Sequence, residues 1–224
     1  MSQAPSKREL AADEPEPTWG IAQLFPSQGQ WSEEEYLALD TNHLVEFSNG
    51  FLEFPSMPTT MHQMITAYLY GVLLAFSTPH DLGTVLFAAL RVRLWPRKYR
   101  EPDVVFIRKE HRPRMGNRFW DGADLVMEVV SEGAEDRHRD LVEKREEYAQ
   151  AGIPEYWIVD PQEERITVLR LGRKRYAVHG EFNKGATASS HLLPGFTVDV
   201  SAALSGEVPP MSPPKSRRKP KGRA

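Results

Sequence analysis

The stretch "DLVMEVVS", residues 124 to 131, sets a glutamate, Glu128, into an apolar run of strand character. A lone ionised carboxylate in a strand buried on both faces is costly or shifts its pKa, so it needs a partner, a metal or a wet cleft. A second acid, Asp103, opens the apolar run of "EPDVVFI" directly after a proline that imposes an extended entry. If the two strands pair, their carboxylates converge at one edge of a sheet. Two hard oxygen ligands with positions left for water are what Mg²⁺ or Mn²⁺ prefers. In the segment after Glu128, Leu141, Lys144 and Tyr148 are spaced i, i+3, i+7 and share one helical face, which turns Lys144 toward the sheet. Acids that bind a cation, together with an amine, are the parts needed to polarise a phosphodiester and stabilise developing negative charge.

Each residue alone has an ordinary account: a strand glutamate at a wet edge, a Pro-Asp turn, a lysine snorkelling past a core. The combination carries the chemistry. Such a site needs the Lys144 amine within about 5 Å of both carboxylates, the range in which opposite charges shift each other's pKa.

The elements around these residues predict a mixed fold. Ser32 and Glu35 form a capping box that starts a short helix. "LVEFSNGFLEF" is a β-hairpin turning at Asn49-Gly50. The stretch from Thr59 to Phe76 places His62, Ile65, Leu69, Leu73 and Phe76 on one face of a long helix. "TVLFAALRVRLW", "PDVVFIR" and "DLVMEVVS" read as strands, and "RDLVEKREEYAQAG" as a helix closed by Gly152. "PEYWIVD", "RITVLRL" and "KRYAVHG" read as further strands, the last two joined at Gly172. The strand, helix, strand unit from 124 to 160 favours a parallel crossover, and the fold class is α/β or α+β.

The 40% hydrophobic and 26% charged composition of the 224 residues suits one globular domain. Residues 1 to 30 read as an unstructured arm, 31 to 204 as the domain, and 205 to 224 as an unstructured Pro-rich basic tail. The absence of cysteine excludes disulfides, thiolate zinc sites and cysteine nucleophiles. No apolar run approaches the ~18 residues of a membrane span and the N-terminus has no apolar leader, so the expectation is a cytoplasmic protein with no membrane partner. The net charge of -3 is uneven: residues 208 to 224 hold six Lys/Arg and no acid, leaving 22 basic against 31 acidic residues, or -9, for the rest. An acidic body is a poor electrostatic partner for nucleic acid. Against that stand Arg91, Arg93, Arg97, Lys98, Arg100 and Arg108, with Arg112, Arg114 and Arg118, two cationic clusters that flank Asp103.

"EPDVVFI", "DLVMEVVS" and "RDLVEKREEYAQAGIPEYWIVDP", in that order, closely resemble the Uma2 family of restriction endonucleases, a branch of the PD-(D/E)xK nuclease superfamily. "LVEFSNGFLEFP" and "MHQMI" fit the family's N-terminal portion, so the resemblance spans roughly residues 31 to 200. It implies a restriction-endonuclease-like central mixed β-sheet flanked by helices and Mg²⁺-dependent DNA cleavage. By motif position Asp103 corresponds to the first metal-binding acid and Glu128 to the second. The superfamily lysine two residues after the second acid is Val130 here, and Lys144 supplies the amine from the helix instead. Glu46 is a further candidate carboxylate, matching an upstream acid of many such nucleases, or a solvent-facing strand residue. His62 reads as a core histidine or as a phosphate or water contact beside the site. Asp140 pairs with Lys144 at i, i+4 and supports it from behind.

The expected activity is a metal-dependent endonuclease acting on DNA, and cutting two strands suits a homodimer. The rival reading is a catalytically inactive nucleic-acid-binding or interaction protein on a nuclease fold, which Val130 permits. An RNA-directed nuclease is a third.

Overall fold

The computed structural model describes residues 26–41 and 43–207. Residues 1–25 of the expected arm and 208–224 of the expected tail, with its six cations, lie outside them. Gln28 and Gly29, inside the expected arm, hydrogen-bond to the backbone at Leu52 and Gly50.

The N-terminal part builds a small sheet. Ser32 caps α1 (Glu33–Ala38) with the reciprocal capping box its sequence predicts. Strands β1 (Glu46–Ser48) and β2 (Phe51–Glu53) form the hairpin, with Asn49 at φ 50° and Gly50 at φ 97°, the conformations an Asn-Gly turn supplies. The long helix α2 (Thr60–Ser77) buries Ile65, Tyr68, Leu69 and Leu73.

The run expected as one strand, "TVLFAALRVRLW", is two strands in different sheets: β3 (Gly83–Phe87) and β4 (Val92–Trp95). The reason lies in the partners. β5 (Lys98–Arg100) pairs with β4, and β6 (Val104–Arg108) with β3, and Pro102 between them has no N–H with which to continue a ladder. β3 makes its last bond from Ala88 N to Asp103 O, and the chain crosses to the other sheet.

After a 3₁₀ turn (Lys109–Arg114) come the short β7 (Trp120–Asp121) and then β8 (Leu125–Val129), which carries Glu128. The helical segment that follows starts before its expected bounds and is not uniform: α3 (Ala134–His138), a π turn (Arg139–Glu143) and α4 (Lys144–Gln150). Gly152, at φ 77°, ends it as its sequence predicts. β9 (Glu155–Asp160) then lies parallel to β8, so the segment is the predicted crossover. β10 (Arg165–Leu171), β11 (Tyr176–Asn183), the pair β12 (Thr187–Ser189) and β13 (Thr197–Asp199), and α5 (Val200–Ser205) complete the domain.

The main sheet runs β11-β10-β9-β8-β6-β3 and the smaller one β2-β1-β5-β4-β7. Strand alternation divides the main core. Leu125, Met127 and Val129 face a cluster with Ile65, Leu69 and Leu73 of α2, while Val126 and Val130 face one with Tyr148 and Tyr156. Glu128 therefore points to the side of α4, and Asp103, two residues before Val105 of that same cluster, shares its parity. No helix among the described residues is long and apolar enough to cross a membrane.

Candidate active site

Strands β6 and β8 pair antiparallel with Val104 opposite Met127, so Asp103 and Glu128 come to neighbouring positions at the end of the ladder. Together with His62, Arg139, Asp140 and Lys144 they line a cavity of about 30 Å³. A larger groove of about 330 Å³, whose walls include Ser56, Met57, Met61, Ser131 and Gln162, lies beside it and shares His62 and Val129.

The acids and the amine in the cavity are tied down. Asp103 Oδ2 accepts from Val129 N at 2.7 Å, across the strand pair. Glu128, 2% exposed, accepts from Tyr148 OH at 2.5 Å and meets Lys144 Nζ at 3.0 Å. Lys144 Nζ also lies 3.0 Å from Asp140 Oδ1, and Asp140 Oδ2 accepts from Ser131 N. Asp140, Lys144 and Tyr148, spaced i, i+4, i+8, are all buried on one face, and Asp140 stands in a π turn, a feature that concentrates at functional sites. Asp140 thus meets Lys144 at the i, i+4 spacing its sequence position predicts, buried behind the amine.

Negative charge exceeds positive charge here, and proton affinities respond. Burial, with the charges of Asp103 and Asp140 added, pushes Glu128 up to about 7 although Lys144 and Tyr148 oppose it. Burial alone would depress Lys144, but Glu128 and then Asp140 hold it raised, so the amine stays an ammonium ion. Burial likewise works against charge on His62, yet the hydrogen bond and charge of Asp103 raise it above the usual histidine value. Its Nε2 sits 3.3 Å from Asp103 Oδ2 and 3.1 Å from Val129 O, so His62 is a partner of the first acid and not only a packed core residue.

Of the residues expected at the site, Asp103, Glu128, Lys144, Asp140 and His62 meet. Glu46 does not line the cavity. It is 1% exposed and its carboxylate accepts from Arg100 Nη1 at 2.5 Å and from Glu101 N at 3.1 Å. Sequence reading missed Arg139: its Nη2 donates to Asp136 Oδ1 at 2.6 Å, while its buried Nε has no hydrogen-bond partner among the described residues. Tyr148 and Tyr156, expected as plain core aromatics, are buried but spend their hydroxyls on Glu128 and on the Asp140 carbonyl. Tyr148→Phe strands one Glu128 oxygen without a donor, and is expected to cost about 1–3 kcal/mol in urea denaturation.

The cationic cluster beside Asp103 is a correction. Arg100 is buried against Glu46, Glu53 and Glu147, and Lys98 against Glu53 and Glu147. Arg91 pairs with Glu101, Arg93 with Asp121 and Arg114 with Asp124. These charges are neutralised within the fold and offer little to an external phosphate.

The donor set suits a hard divalent cation: two carboxylates, Asp103 and Glu128, on one small cavity. Among the described residues no three His, Cys, Asp or Glu side chains are grouped to hold an ion. Two carboxylates with water completing the shell is the manner in which Mg²⁺ is commonly held.

The Uma2 family model, described as "Putative restriction endonuclease", matches residues 33–201. A search of curated proteins finds no match. Among solved structures, one described as "a putative nuclease belonging to DUF820 from Anabaena variabilis" is similar with a TM-score of 0.63 at 18% sequence identity, covering 79% of this chain and 98% of that one. At that identity the likeness is one of fold: a mixed sheet flanked by helices.

Proposed function

The chain belongs to the Uma2 family, and from that membership and the cavity it carries we propose that it is a metal-dependent nuclease hydrolysing phosphodiester bonds of DNA. The observation that supports this most is the meeting of Asp103, Glu128 and Lys144 on one cavity, although the amine comes from a helix and Val130 fills the strand position. Asp103 and Glu128 would hold Mg²⁺ or Mn²⁺, which when bound polarises the phosphodiester and makes a water more acidic.

The remaining work falls to the chain's own groups. Lys144, held as an ammonium ion, is a donor and not a base: Nζ orients the attacking water or a phosphate oxygen and offsets the charge that builds there. Asp140 fixes Nζ and Tyr148 fixes Glu128, so both are in place before substrate arrives. Arg139 lines the same cavity and adds positive charge beside the acids. His62 keeps Asp103 oriented through Nε2.

The test is cleavage of supercoiled plasmid and of single-stranded DNA with Mg²⁺, with Mn²⁺ and with EDTA. Cutting with either metal and none in EDTA is the expected result. Binding without cutting under every metal would leave the inactive binding protein, the reading that the buried Val130 favours.

A further inference from the structure

The proposed nuclease carries a puzzle of affinity, because most of its expected basic surface, Arg97 and Arg118 apart, is consumed by internal ion pairs. Arg145, Arg173, Lys174 and Arg175 are different: none makes an ion pair among the described residues, although all but the half-buried Arg145 are exposed. Three of them, Arg145, Lys174 and Arg175, line one groove of about 570 Å³ with Leu141, Glu146 and Tyr176, and Arg173 stands in the same β10–β11 turn. Three cations face one acid there. Other cations have acids beside them, as Lys109 has Asp81, Lys184 has Glu164 and Arg165 has Glu181, while the exposed Arg97, Arg118 and Arg170, which also make no ion pair among the described residues, do not line this groove.

We propose that this groove holds the phosphate backbone of the nucleic acid whose scissile bond enters the carboxylate cavity. This deepens the nuclease reading and rests on it for the identity of the ligand. Geometry links the two places. Lys144 and Arg145 are consecutive on α4, and consecutive helical residues diverge by about 100° with ~1.5 Å of rise. The cavity and the groove are therefore two flanks of one helical turn, separated by roughly a helix diameter of ~10–12 Å. A strand advances about 3.4 Å per nucleotide, so the groove grips phosphates some three nucleotides from the cut. Its walls are flexible arginine and lysine heads over Leu141 and the Tyr176 ring, with no base-reading donor pattern, which fits backbone contact without sequence preference.

The experiment is fluorescence anisotropy of a labelled 30-bp duplex in EDTA, from 50 to 300 mM KCl, using the full chain. The wild type is compared with the triple variant Arg145→Ala, Lys174→Ala, Arg175→Ala. An equal-charge control, Lys109→Ala, Arg165→Ala, Lys184→Ala, removes paired cations instead. Each phosphate that the protein no longer neutralises lowers the slope of log affinity against log salt by about 0.9, so a fall of ~2–3 is expected for the groove variant, with the control at the wild-type slope. Metal-dependent cleavage is run in parallel. A groove variant with the wild-type slope, or a wild type that binds no duplex, overturns the groove whatever the cleavage result. If the wild type cuts under neither Mg²⁺ nor Mn²⁺ while the slope still falls, the groove stands and the nuclease reading is what fails.

Discussion

Lys144→Met is expected to lower metal-dependent cleavage on the order of a thousandfold or more, with most of the loss in kcat. Removing one preorganised donor aimed at developing charge typically costs a factor of about 10²–10³. Here the same atom also holds Glu128 and Asp140, both at 3.0 Å, so the loss compounds. Leu, Met and other apolar replacements leave two buried carboxylates facing each other, and breaking such a buried pair costs about 3–5 kcal/mol. Unfolding must therefore be separated from loss of chemistry. The double variant Lys144→Met, Glu128→Gln removes one of the stranded charges and should recover part of the stability by urea denaturation. It should recover none of the activity. A single variant that is folded and still cuts at a tenth of the wild-type rate would remove Lys144 from the mechanism and return attention to Val130 as the mark of an inactive fold.

How much of this was readable from residues alone divides along a physical line. Local periodicity carried far: the Asn49-Gly50 hairpin, the Ser32 capping box, the buried face of α2 and the parallel crossover all follow from patterns within a few residues of each other. The convergence of Asp103 and Glu128 was legible because each opens or interrupts an apolar run whose alternation fixes its face. Lys144 was legible because helical spacing put it with Tyr148. What failed depended on distant segments. Arg100 and Lys98 look like surface cations until Glu46, Glu53 and Glu147 arrive from two other parts of the chain. The split between β3 and β4 is decided by Pro102, outside both strands. The π turn adds one residue without any breaker to announce it.

Arg100→Met is expected to be the most destabilising single change in the small sheet, by about 3–5 kcal/mol at neutral pH. The guanidinium is 1% exposed and divides its donors among three acids: Nη1 reaches Glu46 and Glu53, while Nε and Nη2 take Glu147 at 2.7 and 2.9 Å. Removing it leaves Glu53 and Glu147 with Lys98, and the fully buried Glu46 with the charge of Lys144, which lies beyond ion-pair distance. The pH dependence identifies the mechanism. Burial by itself would raise Glu46, but Arg100 first and Lys144 second outweigh it and bring the carboxyl down to about 2 from 4.5. A depressed folded pKa contributes stability that is present above the unfolded value and lost as pH falls through the folded one. The Glu46 contribution is thus complete above about 4.5 and fades toward 2, and a shift of this size corresponds to about 3 kcal/mol. Without Arg100 the burial effect prevails and Glu46 favours its protonated form in the fold. The variant should then lose less stability than the wild type on acidification, and the gap between their urea midpoints should close between pH 7 and pH 3. A gap that stays constant over that range would mean that Arg100 acts through packing of its stem, and that the ion cage contributes little to holding the hairpin on the domain.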